Sequence, residues 1–168
     1  MNSVVSINSI RFFVLILIQV LICNHVNFLG YINPYIYVLF IVLYPTKNNR
    51  ILFILLSFLL GLSIDLFSDS GGIHAAASVL IAYARPVLLR FSFGVQYENY
   101  ALKFENLEFG SKLVYISLLT IIHHTVLFYL EIFSVSKIIL ILQKTLFSSI
   151  FTILLCMLIT IIFSRKTK

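Results

Sequence analysis

The segment FLLGLSIDLFSDSGGIHAAASVLIAYARP, which spans Phe58–Pro86, contains the most informative structural pattern in this chain. Two apolar runs flank Ser-Asp-Ser-Gly-Gly at 68–72, and this composition is typical of a tight turn. Gly61 and Asp65 are four residues apart, so they share one face of the helix that precedes the turn. The sequence therefore predicts two apolar helices joined as a hairpin, with a carboxylate beside their contact.

Small residues recur at every third or fourth position after the turn starts, at Gly71, Ala75, Ser78 and Ala82. Small side chains let helices approach closely in a membrane, where lipid supplies no hydrophobic drive for helix association. We expect one set of residues to serve in packing within the chain or in contact with a partner: Gly61, Asp65, Gly72, His74, Ala75, Ser78, Ala82 and Arg85. For Asp65 two interpretations stay open, a polar latch or anchor between helices and a helix-end residue that reaches water.

Composition sets the class of protein. The chain has 168 residues, of which 61% are hydrophobic and 11% charged, and its mean hydropathy is +1.07. Soluble domains carry about 25% charged residues, and disorder requires low hydrophobicity, so both classes are excluded. Two cysteines do not make a disulfide scaffold. The sequence predicts an all-α integral membrane protein, a single polytopic domain over residues 1–168 that has the lipid bilayer as its surroundings.

Hydropathy predicts six spans, near 10–29, 31–45, 51–67, 73–91, 112–131 and 138–163. The second is short and the fourth contains Arg85 and Pro86, so either could be a half-span or a re-entrant segment, although both are counted as spans. With both termini in the cytoplasm, every basic residue except Lys137 and Lys144 falls on the inner side, as the positive-inside rule requires. This topology accounts for the net charge of +6 without nucleic-acid binding.

The fifth span contains three polar candidates within the membrane, His123, His124 and Glu131. Adjacent helical residues point about 100° apart, so the two histidines are poorly placed to bind one metal ion, and hydrogen bonding between helices is favoured instead. The acids Asp65 and Asp69 lie on one segment, and the sequence contains no nucleophile, nucleotide or metalloprotease motif. We therefore expect no catalytic residue, no metal and no cofactor. An intramembrane enzyme is the weakest functional hypothesis.

The hairpin resembles the rod-shape-determining membrane protein MreD family of bacteria. The residues that carry the resemblance are Gly61-x-x-x-Asp65, Gly71-Gly72-Ile73-His74, the alanine-rich helix and its end at Ala82-Tyr83-Ala84-Arg85-Pro86, and more loosely His123-His124 and Glu131-Ile132-Phe133. The resemblance implies a bundle of about six helices, similar to the membrane substrate-binding subunit of energy-coupling-factor transporters. It also ties Gly61, Asp65, Gly72 and His74 to packing or partner contact.

The resemblance implies a non-catalytic scaffold of the cell-elongation (rod) complex in the bacterial cytoplasmic (inner) membrane, supporting cell shape and lateral peptidoglycan synthesis. Its implied partners are MreC-like and MreB-like proteins and wall-synthesis enzymes. The alternative is a substrate-binding membrane subunit of a small-molecule (vitamin-type) transporter. That function requires a polar pocket that opens outward, and its candidate lining is Asp65, His74, His124 and Glu131.

Overall fold

The computed structural model describes residues 2–26, 32–46, 49–94, 104 and 107–163, and the side chains from residue 6 onward. The described residues form a bundle of helices: α1 (Asn2–Leu21), α2 (Val38–Leu43), α3 (Arg50–Ser68), α4 (Ile73–Phe93), α5 (Phe109–Ile132) and α6 (Ile138–Phe163). Single 3-10 turns at Cys23–His25 and Val135–Lys137 follow α1 and precede α6. Residues 27–29 of the first predicted span, residue 31 of the second and the last five residues of the chain lie outside the described part.

Five segments of the described chain are long and apolar enough to cross a membrane: Ser6–His25, Arg50–Ser68, Ile73–Phe93, Phe109–Ile132 and Val135–Phe163. They match the first, third, fourth, fifth and sixth predicted spans. The fourth is one continuous helix that contains Pro86, so the proline does not shorten it below membrane length. The chain is therefore a multi-pass membrane protein of the all-helical class.

The second predicted span, 31–45, differs from the prediction. Its helix α2 has only six residues, about 9 Å at 1.5 Å per residue, which is too short to cross a bilayer. Pro34 explains the late start, because it lacks an N–H donor and holds the preceding residue extended. Every residue from Tyr37 to Val42 is at most 2% exposed. The other helices thus enclose this short segment, and enclosure is the condition under which irregular backbone is tolerated at membrane depth.

The buried segment that contains α2, residues 34–44, runs antiparallel to α1. Near the end of α1, Gln19 Nε2 donates to the carbonyl of Pro34 at 3.0 Å. Eight residues earlier, at the middle of α1, Arg11 Nη1 donates to the carbonyl of Leu43 at 3.3 Å. The chain therefore returns through the interior of the bundle before α3 begins, even though only part of this return path is helical.

Two ends of the bundle follow from these directions. The Asp65 end holds the α3–α4 turn, the end of α5 and the end of α1, where Asn24 Nδ2 donates to Ser68 Oγ at 3.0 Å. The Arg85 end holds the start of α1, the end of α2 and the start of α5. Because α5 and α6 are joined by the short connection through Val135–Lys137, α6 returns to the Arg85 end. The described chain thus begins and finishes at the same end.

Candidate functional site

The carboxylate of Asp65 ties the end of α3 to the start of α4. Its Oδ1 accepts from Ser70 Oγ at 2.5 Å and from the backbone N–H of His74 at 3.0 Å, and its Oδ2 accepts from the N–H of Ala75 at 2.8 Å. The first N–H groups of a helix have no partner within the helix, and the helix dipole favours a negative charge beside them. Asp65 is 5% exposed. We call these four residues the Asp65 latch, and its bonds match the latch interpretation of this residue.

Gly61 brings the two helix backbones into direct contact. A Cβ atom at this position would lie 2.5 Å from Ala75 Cα and 2.5 Å from the carbonyl oxygen of His74. Ala75, Ser78 and Ala82 are all buried in the same chain. These three residues of the small-residue stripe are therefore used in packing α4 against its neighbours within the described bundle, whereas Gly71, at the start of the stripe, is exposed in the turn.

Glycine is also required where α4 begins. Gly72, the residue before the helix, has a φ of +95°, and Gly71 has a φ of +66°. Residues other than glycine rarely adopt such φ angles, with Asn and Asp the usual exceptions. Asp69, with a φ of +51°, is such an exception and ends α3. The turn predicted at 68–72 is thus built from three left-handed residues.

Two predicted polar residues meet through a tyrosine that the sequence did not single out. Tyr37 Oη lies 2.8 Å from His74 Nδ1 and 2.8 Å from His123 Nε2, and its side chain is fully buried. It therefore links α4 and α5 through the buried segment. A tyrosine hydroxyl inside an apolar run was the available signal, because a buried hydroxyl needs a hydrogen-bond partner.

His124 takes a different partner from its neighbour in sequence. Its Nδ1 lies 2.8 Å from Ser149 Oγ on α6, and both residues are buried. The two histidine rings are 5.3 Å apart and edge-on to each other, so each bonds a different helix. Among the described residues, no group of three or more His, Cys, Asp or Glu side chains is placed to hold a metal ion.

Arg85 is buried at the other end of the bundle. Its Nε donates to Tyr115 Oη at 2.9 Å, and its Nη2 donates to the carbonyls of Val42, at 3.2 Å, and Tyr44. The guanidinium also lies 5.0 Å from the centre of the Phe53 ring, a cation–π contact. Arg85 is 5% exposed and pairs with no carboxylate in the described part of the chain. We call Arg85, Tyr115 and the two carbonyls the Arg85 clamp.

A polar cavity of about 610 Å³ opens at the Asp65 end. Its lining is Val20, Asn24, His25, Asn33, Tyr35, Phe67, Ser68, Asp69, Ser70, Ile73, His74, Leu127 and Glu131. Of the four residues expected to line a pocket, it contains His74 and Glu131, whereas Asp65 and His124 lie outside it. Glu131 Oε1 accepts from Lys144 Nζ at 2.8 Å, and the Glu131 side chain is 42% exposed.

Comparison with known proteins adds no assignment to this geometry. No family model matches the chain, and no curated protein and no solved structure matches it either. The features of the chain that bear on function are therefore the latch, the clamp, the histidine pair and the cavity.

Proposed function

We propose that the chain is a non-catalytic membrane scaffold of the bacterial cell-elongation complex that supports cell shape and lateral peptidoglycan synthesis. The observation that carries the proposal is the Asp65 latch. Gly61, Asp65 and His74, which bear the resemblance to the MreD family, are the residues that hold α3 against α4. Polar groups bonded within the bundle suit a rigid platform better than a catalyst, whose reactive groups must reach a substrate.

The proposed setting is the bacterial cytoplasmic (inner) membrane, with the Arg85 end and both termini in the cytoplasm. This orientation is supported by the basic residues described at that end, which are Arg11, Arg50, Arg85, Arg90 and Lys112. Basic residues are enriched on the cytoplasmic side of membrane proteins. The proposed partners are MreC-like and MreB-like proteins and wall-synthesis enzymes, whose contacts would lie on the outward faces of the helices, since Ala75, Ser78 and Ala82 of the small-residue stripe are buried.

The test is affinity purification of the tagged full chain from gently solubilised membranes, with identification of the co-purifying proteins. We expect MreC-like and wall-synthesis proteins with the wild type and with Asp69→Asn, and their loss with Asp65→Asn, which breaks the latch. Depletion in a rod-shaped host should produce rounded cells. Cells that keep their shape after depletion, together with recovery of unrelated partners, would contradict the scaffold.

A second function, the substrate-binding subunit of a small-molecule transporter, is favoured by the cavity at the Asp65 end. Its volume of about 610 Å³ is in the range of small-molecule sites. In the orientation proposed above, this cavity opens to the outside of the cell. The same purification separates the two functions, because a transporter subunit should recover an ATPase pair and a coupling membrane protein instead of wall-synthesis proteins.

A further inference from the structure

The cavity at the Asp65 end has an acidic, acceptor-rich lining. Asp69 and Glu131 contribute carboxylates, and the described lining contains neither lysine nor arginine. Lys144 pairs with one oxygen of Glu131 from outside the lining and leaves Asp69 without a cationic neighbour among the described ion pairs. Because like charges repel, this lining disfavours an anion and favours a cation.

His74 presents one free nitrogen to this cavity. The residue is only 6% exposed, and its Nδ1 is bonded to Tyr37 Oη. The hydrogen bonds of His74 among the described residues involve Nδ1 and the backbone N–H and leave the other ring nitrogen, Nε2, unengaged, and the side chain belongs to the cavity lining. Asn33, also in the lining, has a buried Oδ1 without a partner in the described structure. The buried Asn33 oxygen requires a partner, and the His74 ring nitrogen in the same cavity can accept a hydrogen bond from one.

The rest of the lining is apolar and partly aromatic, with Tyr35, Phe67 and Leu127. We propose that the cavity binds an organic cation whose ammonium group is attracted by Asp69 and Glu131 and donates a hydrogen bond to His74 Nε2, while its apolar body packs on these side chains. The site does not require either function proposed above, since a scaffold could carry it as a regulatory input and a transporter subunit as its substrate site.

Binding of the cation affects the interior of the bundle because each hydrogen bond in the chain from His74 to Tyr37 to His123 fixes which atom donates in the next one. A neutral imidazole has one N–H, so a ligand that donates to His74 Nε2 places the proton of that ring on Nδ1. Nδ1–H then donates to Tyr37 Oη, and the single Tyr37 hydroxyl proton is donated to His123 Nε2. His123 must therefore carry its own proton on Nδ1. Binding of the cation fixes the tautomers of both histidines.

The test uses the full chain in maltoside micelles with ¹⁵N-labelled histidine, followed by NMR. The probes are 2-phenylethylammonium, 2-phenylethanol and 3-phenylpropionate, which share an aromatic body and differ in the charge of the polar group. We expect only the ammonium probe to give a saturable shift of the His74 resonances, and at saturation both His74 and His123 should carry N–H at Nδ1. The double variant D69N/E131Q should raise the apparent Kd at least tenfold.

The matched control is Glu108→Gln, which removes a carboxylate at the other end of α5, about 35 Å away at 1.5 Å per residue, and should leave the Kd unchanged. Tyr37→Phe should keep the response of His74 and abolish that of His123. Asp69 is exposed and the Glu131 side chain is 42% exposed, so the single variants D69N and E131Q can replace the double variant in this test if the double variant does not fold.

Equal saturation by the alcohol or the carboxylate, no saturable shift with the ammonium probe, or an unchanged Kd in folded D69N/E131Q would overturn the site. A cation response without the Nδ1–H form of His123 would overturn the transmission. Co-purification of D69N/E131Q with wall-synthesis proteins reports separately on the scaffold, so the two proposals fail independently.

Discussion

The Asp65 latch and the Arg85 clamp each bury one charged side chain, and each satisfies it without a counter-ion from the described residues. Asp65 and Arg85 are both 5% exposed. The carboxylate accepts from N–H groups at the start of α4, whereas the guanidinium donates to carbonyls at the end of α2 and just beyond it. These are the helix termini whose dipoles favour an anion and a cation respectively. Backbone groups left unpaired at helix ends thus replace the ion pairs that buried charges otherwise require.

The two sites differ in the length of chain they close. The partners of Asp65 are 5 to 10 residues away in sequence, so the latch joins two consecutive helices. The partners of Arg85 are 30 to 43 residues away, so the clamp joins α4 to α5 and to the buried segment. The latch therefore depends on the hairpin alone, and the clamp depends on the assembled bundle.

The largest expected effect is at the latch. Asp65→Asn removes the charge and turns an amide N–H₂ toward backbone N–H donors, so it should lower the free energy of unfolding by about 3 kcal/mol. SDS titration in mixed micelles, followed by far-UV circular dichroism, measures this change. Asp69→Asn, the same substitution four residues later at an exposed left-handed position, should change it by less than about 0.5 kcal/mol. Equal effects of the two variants would contradict the latch.

Gly61→Ala tests the backbone contact that positions the latch. The added methyl group would lie 2.5 Å from Ala75 Cα, so α3 and α4 must separate, at an expected cost of about 2 kcal/mol in the same assay. The control is Gly110→Ala in the first turn of α5, where a Cβ meets no atom within 4 Å. It should be neutral or stabilising by about 0.5 kcal/mol, because alanine favours the helix. If both variants are neutral, the close approach is not a constraint.

The hairpin could be predicted from the sequence because its information is local. Gly61, Asp65 and the two glycines of the turn lie within a dozen residues, and their spacing specifies both the shared helix face and the reversal of the chain. For residues 31–45 the sequence left a half-span or re-entrant segment open because the run is short, but it did not predict a helix of only six residues. Hydropathy measures how apolar a segment is, and residues 31–45 are as apolar as a span. It does not distinguish burial in protein from contact with lipid.

Arg85→Lys tests the clamp against the latch. A lysine ammonium cannot reproduce the fork by which the guanidinium bonds Tyr115 and two backbone carbonyls, so at least one buried carbonyl loses its donor. We expect a loss of about 2 kcal/mol, together with faster hydrogen exchange in α2. The control, Arg50→Lys, affects an exposed contact with the carbonyl of Tyr83 and should cost less than about 0.5 kcal/mol. Unchanged exchange in α2 would contradict the role of the clamp in holding that segment.

The sequence selected His74, His123 and His124 but not the groups that bond them. Their partners Tyr37 and Ser149 lie on other segments, up to 86 residues away, and only the folded bundle brings them together. Of the four residues expected to line a pocket, only His74 and Glu131 line the cavity, for a related reason. The sequence left open that Asp65 is a helix-end residue that reaches water, but the start of α4 covers its carboxylate and leaves Asp69 and Glu131 to the cavity.

Ser149→Ala should have an intermediate effect. It removes the partner of His124 Nδ1 in the interior, at an expected cost of about 1 kcal/mol, in keeping with the modest value of hydrogen bonds between membrane helices. The matched control is Ser63→Ala, because the Ser63 hydroxyl is exposed and donates only to Leu59 within its own helix. Equal stability of the two variants would show that the bond between α5 and α6 contributes nothing measurable.

The smallest effect on stability is expected at Glu131. Its ion pair with Lys144 is partly exposed, with side-chain exposures of 42% and 20%, and such pairs contribute about 0.5 kcal/mol or less. Glu131→Gln should therefore leave the unfolding transition almost unchanged while weakening binding of an ammonium ligand in the cavity. Asp65→Asn should instead lower stability and leave binding of the ammonium ligand largely unchanged. The reason is that Asp65 lies outside the cavity lining and has both carboxylate oxygens bonded within the latch. A Glu131→Gln variant that unfolds as readily as Asp65→Asn would mean that the cavity carboxylate is part of the structural support. The acids at this end would then share one role, whereas the geometry assigns Asp65 to the fold and Glu131 to a ligand.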